Sequence, residues 1–125
     1  MALNETESDR SYLFGRLLAI ADKAESDSYS EEDRNKRVTN AKRYWSSFAQ
    51  RPYQTWAMIE DRLRPYLTKL NPGSRVYYEK MLNEVMDRFT YEGYTSGVAL
   101  DPIYLLGYHC QMQSFYQTNK KNKEE

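Results

Sequence analysis

Leu13, Phe14, Leu17, Leu18, Ile20 and Ala21 recur at steps of three and four residues, the spacing that gathers side chains on one side of an α-helix. A first helix is predicted through about residue 25, with Asn4, Thr6 and Ser8 each able to cap its start. The stretch Glu25-Ser26-Asp27-Ser28-Tyr29-Ser30-Glu31-Glu32-Asp33 is polar and has no apolar period, so it reads as a mobile loop, with its acids also suited to opening the next helix. Val38, Ala41, Trp45 and Phe48 then predict a second helix over residues 34–50. With successive side chains roughly 100° apart, Lys36, Asn40, Arg43 and Ser47 fall on its opposite face. That helix is expected to be apolar on one side and basic on the other.

Arg51-Pro52 interrupts the pattern, because the residue before proline is pushed out of the α region while proline suits a first helical position. A third helix is expected from there, with Trp56, Ile59, Leu63, Leu67 and Leu70 as its buried stripe. Pro65 removes a main-chain donor within it, predicting a kink or break near Arg64. Asn71-Pro72-Gly73-Ser74 reads as a turn, and a fourth helix follows over residues 74–89, burying Tyr77 or Tyr78 with Met81, Leu82, Val85, Met86 and Phe89. Residues 90–100, with Gly93 and Gly97, read as a longer connection. Asp101-Pro102 opens a last helix through about Thr118. No alternating strand pattern or internal repeat is visible. The fold class is therefore all-α, one helical-bundle domain of about five helices over residues 1–125, frayed at 1–5 and 119–125.

Charge sharpens the picture. The 18 basic and 18 acidic residues cancel overall, but residues 1–33 hold nine acids against three bases, and residues 34–75 hold ten bases against two acids. Such asymmetry suggests a middle that faces a polyanion, because the local field steers a partner more than net charge does. The ordinary explanation, a solvated basic face on a helix pair, accounts for the same pattern.

The inventory of reactive groups is short. Cys110 is the one cysteine and His109 the one histidine, so an internal disulfide and a four-ligand zinc site are not expected. Adjacent residues on a helix diverge, so these two do not form a nucleophile–base pair, and His109 reads as a hydrogen-bonded packing residue. No phosphate-binding glycine motif or paired metal carboxylate stands out. The expectation is a non-enzyme with no metal and no cofactor. No apolar run approaches the roughly 20 residues of a membrane span, and the acidic start lacks the pattern of a secretory leader. A cytoplasmic location without membrane contact follows as an expectation. Twelve tyrosines are read mainly as core residues with hydroxyls at the rim, although Arg43-Tyr44, Arg51-Pro52-Tyr53 and Arg75-Val76-Tyr77 set rings beside cations, a combination that suits phosphates and exposed bases.

Three segments carry a resemblance. Ser11-Tyr12-Leu13-Phe14-Gly15-Arg16-Leu17-Leu18-Ala19-Ile20, residues 41–70 with Tyr44-Trp45 and Arg51-Pro52, and Leu106-Gly107-Tyr108-His109-Cys110-Gln111-Met112-Gln113-Ser114-Phe115-Tyr116 look like the C-terminal helical part of the type I-C CRISPR large subunit. The closing Gly107-Tyr108-His109-Cys110-Gln111 fits that family's glycine, aromatic, two residues, glutamine pattern. A sequence opening on methionine just before this region resembles the separately translated small subunit of the same complex, Cascade.

The resemblance implies a helical bundle lining the belly of an RNA-guided surveillance complex. Its implied partners are the large subunit, the repeated backbone subunits, a second copy of itself, and the target and displaced (non-target) DNA strands of the R-loop, with guide RNA a further candidate contact. Base pairing then reads the sequence, and the protein needs only cations aimed at phosphates. The contact pool expected on this basis is Lys36, Arg37, Lys42, Arg43, Arg51, Arg62, Arg64 and Lys69. Arg16, alone on an apolar face, is equally suited to pairing with a carboxylate inside the bundle. The alternative reading is a helical protein–protein adaptor without nucleic-acid contacts.

Overall fold

The computed structural model describes residues 2–124, with side chains described through residue 117. The described residues form helices and no strands: α1 Arg10–Ser28, α2 Glu31–Arg34, α3 Asn40–Arg43, α4 Trp45–Gln50, α5 Pro52–Leu67, α6 Pro72–Met86, α7 Tyr91–Thr95 and α8 Ile103–Glu124. The all-α class expected from periodicity holds, carried by four long helices. The fraying expected at 1–5 and 119–125 falls partly on Met1, Glu125 and the side chains of 118–124, which lie outside the described residues.

Helix α1 is the hub. Every residue from Ser11 to Asp22 is buried, as expected for a helix apolar around much of its circumference. Helices α8, α5, α6 and α3 all pack on it. Asp9 caps it, accepting from the Tyr12 N–H at 3.2 Å, in place of the expected Asn4, Thr6 or Ser8. The α1–α8 crossing is tight because two glycines face each other's helices. A Cβ on Gly15 would run into the Tyr104 carbonyl, and one on Gly107 into the Tyr12 carbonyl. Glycine is required here for close approach of two backbones, with no unusual dihedral involved.

The second helix expected over 34–50 does not form as one piece. Only α3 and α4 fall within it, residues 35–39 are not helical and Val38 is exposed rather than in the core, while residues 31–33, expected in the loop, form α2 with Arg34. The cause lies in α1. Asp22 and Glu25 are buried and take hydrogen bonds from the segment that would have been helical: the Thr39 hydroxyl donates to Asp22 at 2.6 Å, and the Asn40 N–H and Nδ2 donate to Glu25 at 3.1 and 2.9 Å. Thr39 holds an extended conformation and caps α3. Buried carboxylates must be satisfied, and here that requirement overrides a helical period. Residues 25–28, expected in a loop, complete α1, and Asn40, expected on a basic face, is buried.

Pro65 does not break α5, which runs to Leu67. It sits in the last turn, where the Asp61 carbonyl that it leaves without a donor lies on an exposed residue. The fourth helix starts two residues before Ser74, because Asn71 accepts from the Ser74 N–H at 2.8 Å and Pro72 occupies the first helical position. Of the tyrosine pair, Tyr78 is buried and Tyr77 exposed. The 90–100 connection holds the short α7, and α8 continues past Thr118 to Glu124.

Candidate nucleic-acid interface

Tyrosine hydroxyls and α1 carboxylates organise the surface from which the basic residues project. Tyr29 donates to Glu25, Tyr78 to Asp27, and Tyr108 to Asp22 at 2.6 Å. Burial raises all three phenols above their ordinary range, and hydrogen bonding to a carboxylate raises them further. They therefore act as fixed neutral donors.

On this frame the 35–39 segment lies against the last turns of α5. The Arg37 guanidinium donates to the Tyr66 hydroxyl at 3.0 Å and sits 4.5 Å over the Tyr29 ring and 5.7 Å from that of Tyr66. Tyr29 and Tyr66 meet edge to face at 5.7 Å. Lys69 Nζ lies 5.1 Å from the Tyr66 ring, and Arg62 lies 5.3 Å from the ring of Tyr44. Positions 62 and 66 share one face of α5 by their four-residue spacing, and Lys69, in the turn that follows the helix, reaches back to the Tyr66 ring. Arg37, Arg62 and Lys69 are thus gathered along one edge, steadied by Tyr29, Tyr44 and Tyr66. Cation–π contact holds a cation without neutralising it, so these three keep their charge for an external anion.

The other five expected residues are placed differently. Lys42 and Arg43 are exposed on α3, immediately before Tyr44, with no carboxylate in ion-pair range among the described residues. Arg51 is exposed at the α4–α5 junction. Lys36 pairs with Glu32 at 3.3 Å, both largely in solvent. Arg64 stands about 200° around α5 from Arg62 and lines a different groove, between α5 and α6, with Arg75, Glu60 and Glu79. Its nearest carboxylate oxygen, on Asp61, is at 3.9 Å. All eight residues are exposed; Arg37 and Lys69 share the Tyr66 ring, and Arg62, one turn back on α5, meets Tyr44.

The tyrosine platforms were only partly visible in sequence. Of the ring–cation neighbours along the sequence, only Tyr44 meets a cation, and that cation is Arg62 rather than its neighbour Arg43. Tyr53 instead packs edge-on to Tyr94, and Tyr77 to Tyr78. Tyr29 and Tyr66 come from distant segments, so adjacency could not reveal them. His109, read as a packing residue, is exposed beside the Tyr108 ring. Among the described residues no three His, Cys, Asp or Glu side chains assemble into a metal-holding group, and no helix is long and apolar enough to cross a membrane.

Fold and surface together define an all-α protein with its buried acids turned inward and a cation–tyrosine edge turned outward. A family model described as CRISPR-associated protein (Cas_Csd1) matches residues 1–116, and the chain belongs to that family, with a role in a CRISPR system. A search among curated proteins finds no match.

Proposed function

We propose that this protein is a non-catalytic small subunit of a type I-C Cascade surveillance complex that steadies the target and displaced DNA strands of the R-loop through exposed basic side chains. The observation that carries the reading is the gathering of Arg37, Arg62 and Lys69 on one edge around Tyr29, Tyr44 and Tyr66, with Lys42 and Arg43 exposed just before Tyr44. A groove that follows a strand without reading its bases needs cations for phosphates and rings for occasional stacking, and this edge offers both. The partners on this reading are the large subunit, the backbone subunits and a second copy of the protein. Its place is the cytoplasm.

Charge reversal tests the reading. Arg43→Glu together with Arg62→Glu, built into the assembled complex, should shorten retention of target DNA while the far-ultraviolet dichroism of the isolated protein stays unchanged. Unaltered retention at several salt concentrations would remove this edge from consideration. The adaptor reading draws on a separate feature, the groove between α5 and α6 floored by Trp56, Leu63, Leu67, Leu82 and Met86. It predicts association with a protein partner that added salt spares.

A further inference from the structure

Arg16 and Gln111 form a polar centre beneath the surface that the DNA reading does not use. Arg16 is 7% exposed and Gln111 fully buried. The Arg16 Nε donates to Gln111 Oε1 at 2.9 Å. No carboxylate lies within ion-pair reach of Arg16 among the described residues, contrary to the internal partner considered from sequence. The arginine also fixes the amide: because Oε1 accepts from the guanidinium, the other end of the Gln111 amide is the Nε2 donor. That Nε2 is buried and has no hydrogen-bond partner.

Both side chains line a cavity of about 480 Å³ between the N-terminal segment, α1, α6 and α8, with Leu3, Met81 and Ser8 in its wall. Glu5, Glu84, Asp87 and Arg88, all exposed, also line it. A buried, forked guanidinium and an unanswered amide donor on two residues that line one cavity suit an acceptor with more than one oxygen. Burial lowers the Arg16 pKa, and among the charges acting on it Glu5 and Glu84 favour its charged form while Arg88 opposes it.

We propose that this cavity is a binding site for a single Glu side-chain carboxylate of a protein partner, flanked there by basic residues and received by Arg16 and the Gln111 amide. The lining acids select against a nucleic-acid strand. One phosphate entering here would bring its neighbours past Glu5, Glu84 and Asp87, and like charges repel. A carboxylate flanked by Lys or Arg meets the reverse situation, its own charge at Arg16 and Arg88 and its basic flanks at the three acids. The proposal stands on the Arg16–Gln111 geometry and is independent of the cation–tyrosine edge.

The test is nuclear magnetic resonance of the full-length, nitrogen-labelled protein, following the Arg16 Nε–H and the Gln111 side-chain amide. Sodium acetate, sodium phosphate and sodium chloride are titrated at constant ionic strength. Two short peptides follow, each with one Glu, flanked by Lys in one and by Glu in the other, and then a short single-stranded DNA.

A saturable shift of both resonances with acetate, stronger with the Lys-flanked than the Glu-flanked peptide, is the expected result. Gln111→Leu and Arg16→Lys should each weaken the peptide at least about tenfold, the worth of one charge-assisted hydrogen bond. Absence of a saturable acetate shift in the unmodified protein overturns the proposal whether or not the variants fold. So does a stronger response to phosphate or DNA than to acetate, and so does acetate binding that appears only in Glu5→Gln/Glu84→Gln, which would show that the protein's own acids occupy Arg16.

Discussion

Asp22 and Glu25 show how single side chains decide local structure in this protein. Each is buried on α1 and satisfied by neutral donors. The same contacts hold Tyr29 and Tyr108 as protonated phenols, which gives stability a pH dependence of definite sign. Burial and bonding to a carboxylate raise the Tyr29, Tyr78 and Tyr108 pKa values above the ordinary tyrosine value of 10.0, so the folded state holds its protons more tightly than the unfolded one. That contribution is complete below pH 10.0 and is lost as pH rises toward the folded values. Denaturant midpoints measured at increasing pH should be level up to that point and decline above it. In Tyr108→Phe the decline should be shallower. Burial also pushes Tyr94 up to about 12, so it adds to the same alkaline loss.

Trp56 makes a second case at this scale. It is 1% exposed, yet its Nε1 has no hydrogen-bond partner. Trp56→Ala should cost about 3–5 kcal/mol for the emptied volume. Trp56→Phe keeps a ring and removes the unanswered donor, so its cost should be about 1 kcal/mol or less. Equal losses in thermal denaturation would mean that the indole nitrogen is satisfied in solution.

At the level of elements, the crossing of α1 and α8 depends on Gly15 and Gly107, each facing main-chain atoms of the other helix. Because backbone cannot yield as a side-chain tip can, Gly15→Ala or Gly107→Ala should each cost about 3 kcal/mol or more. The double variant should cost less than the sum of the two, since one helix shift relieves both clashes. Equilibrium unfolding of the three proteins measures this.

Periodicity located α1, α5 and α6 because each keeps a sustained apolar stripe, whereas α8 is marked by Asp101-Pro102 at its start; Pro52 opening α5 is likewise written in residue type, but the Asn71-Pro72 start of α6 reads as a turn. Periodicity failed over 34–50 because the deciding interactions are long-range. Thr39 and Asn40 answer acids on α1, and no local pattern reports that. The candidate interface divides in the same way. Its cations were legible as a run of basic residues, whereas Tyr29 and Tyr66 join them only through the fold. Gln111 was legible as part of a motif, but not as a buried amide with an open donor.

For the whole molecule, the acids of α1 turned into the core and the bases of 34–75 left outside account for a protein that is neutral in sum and polar in layout. The division within the basic pool gives the sharpest test. Arg37, Arg62 and Lys69 gather on the tyrosine-lined edge, and Arg64 lies in the α5–α6 groove. The decisive measurement is the salt dependence of target-DNA binding by the assembled complex, comparing Arg37→Ala/Arg62→Ala/Lys69→Ala with Arg64→Ala. Each lost single-strand phosphate contact should flatten the log–log slope by about 0.7. The triple variant should therefore lower it by about 2 and Arg64→Ala should leave it unchanged, whereas a slope that is the same in the unmodified and triple-variant complexes would contradict the account.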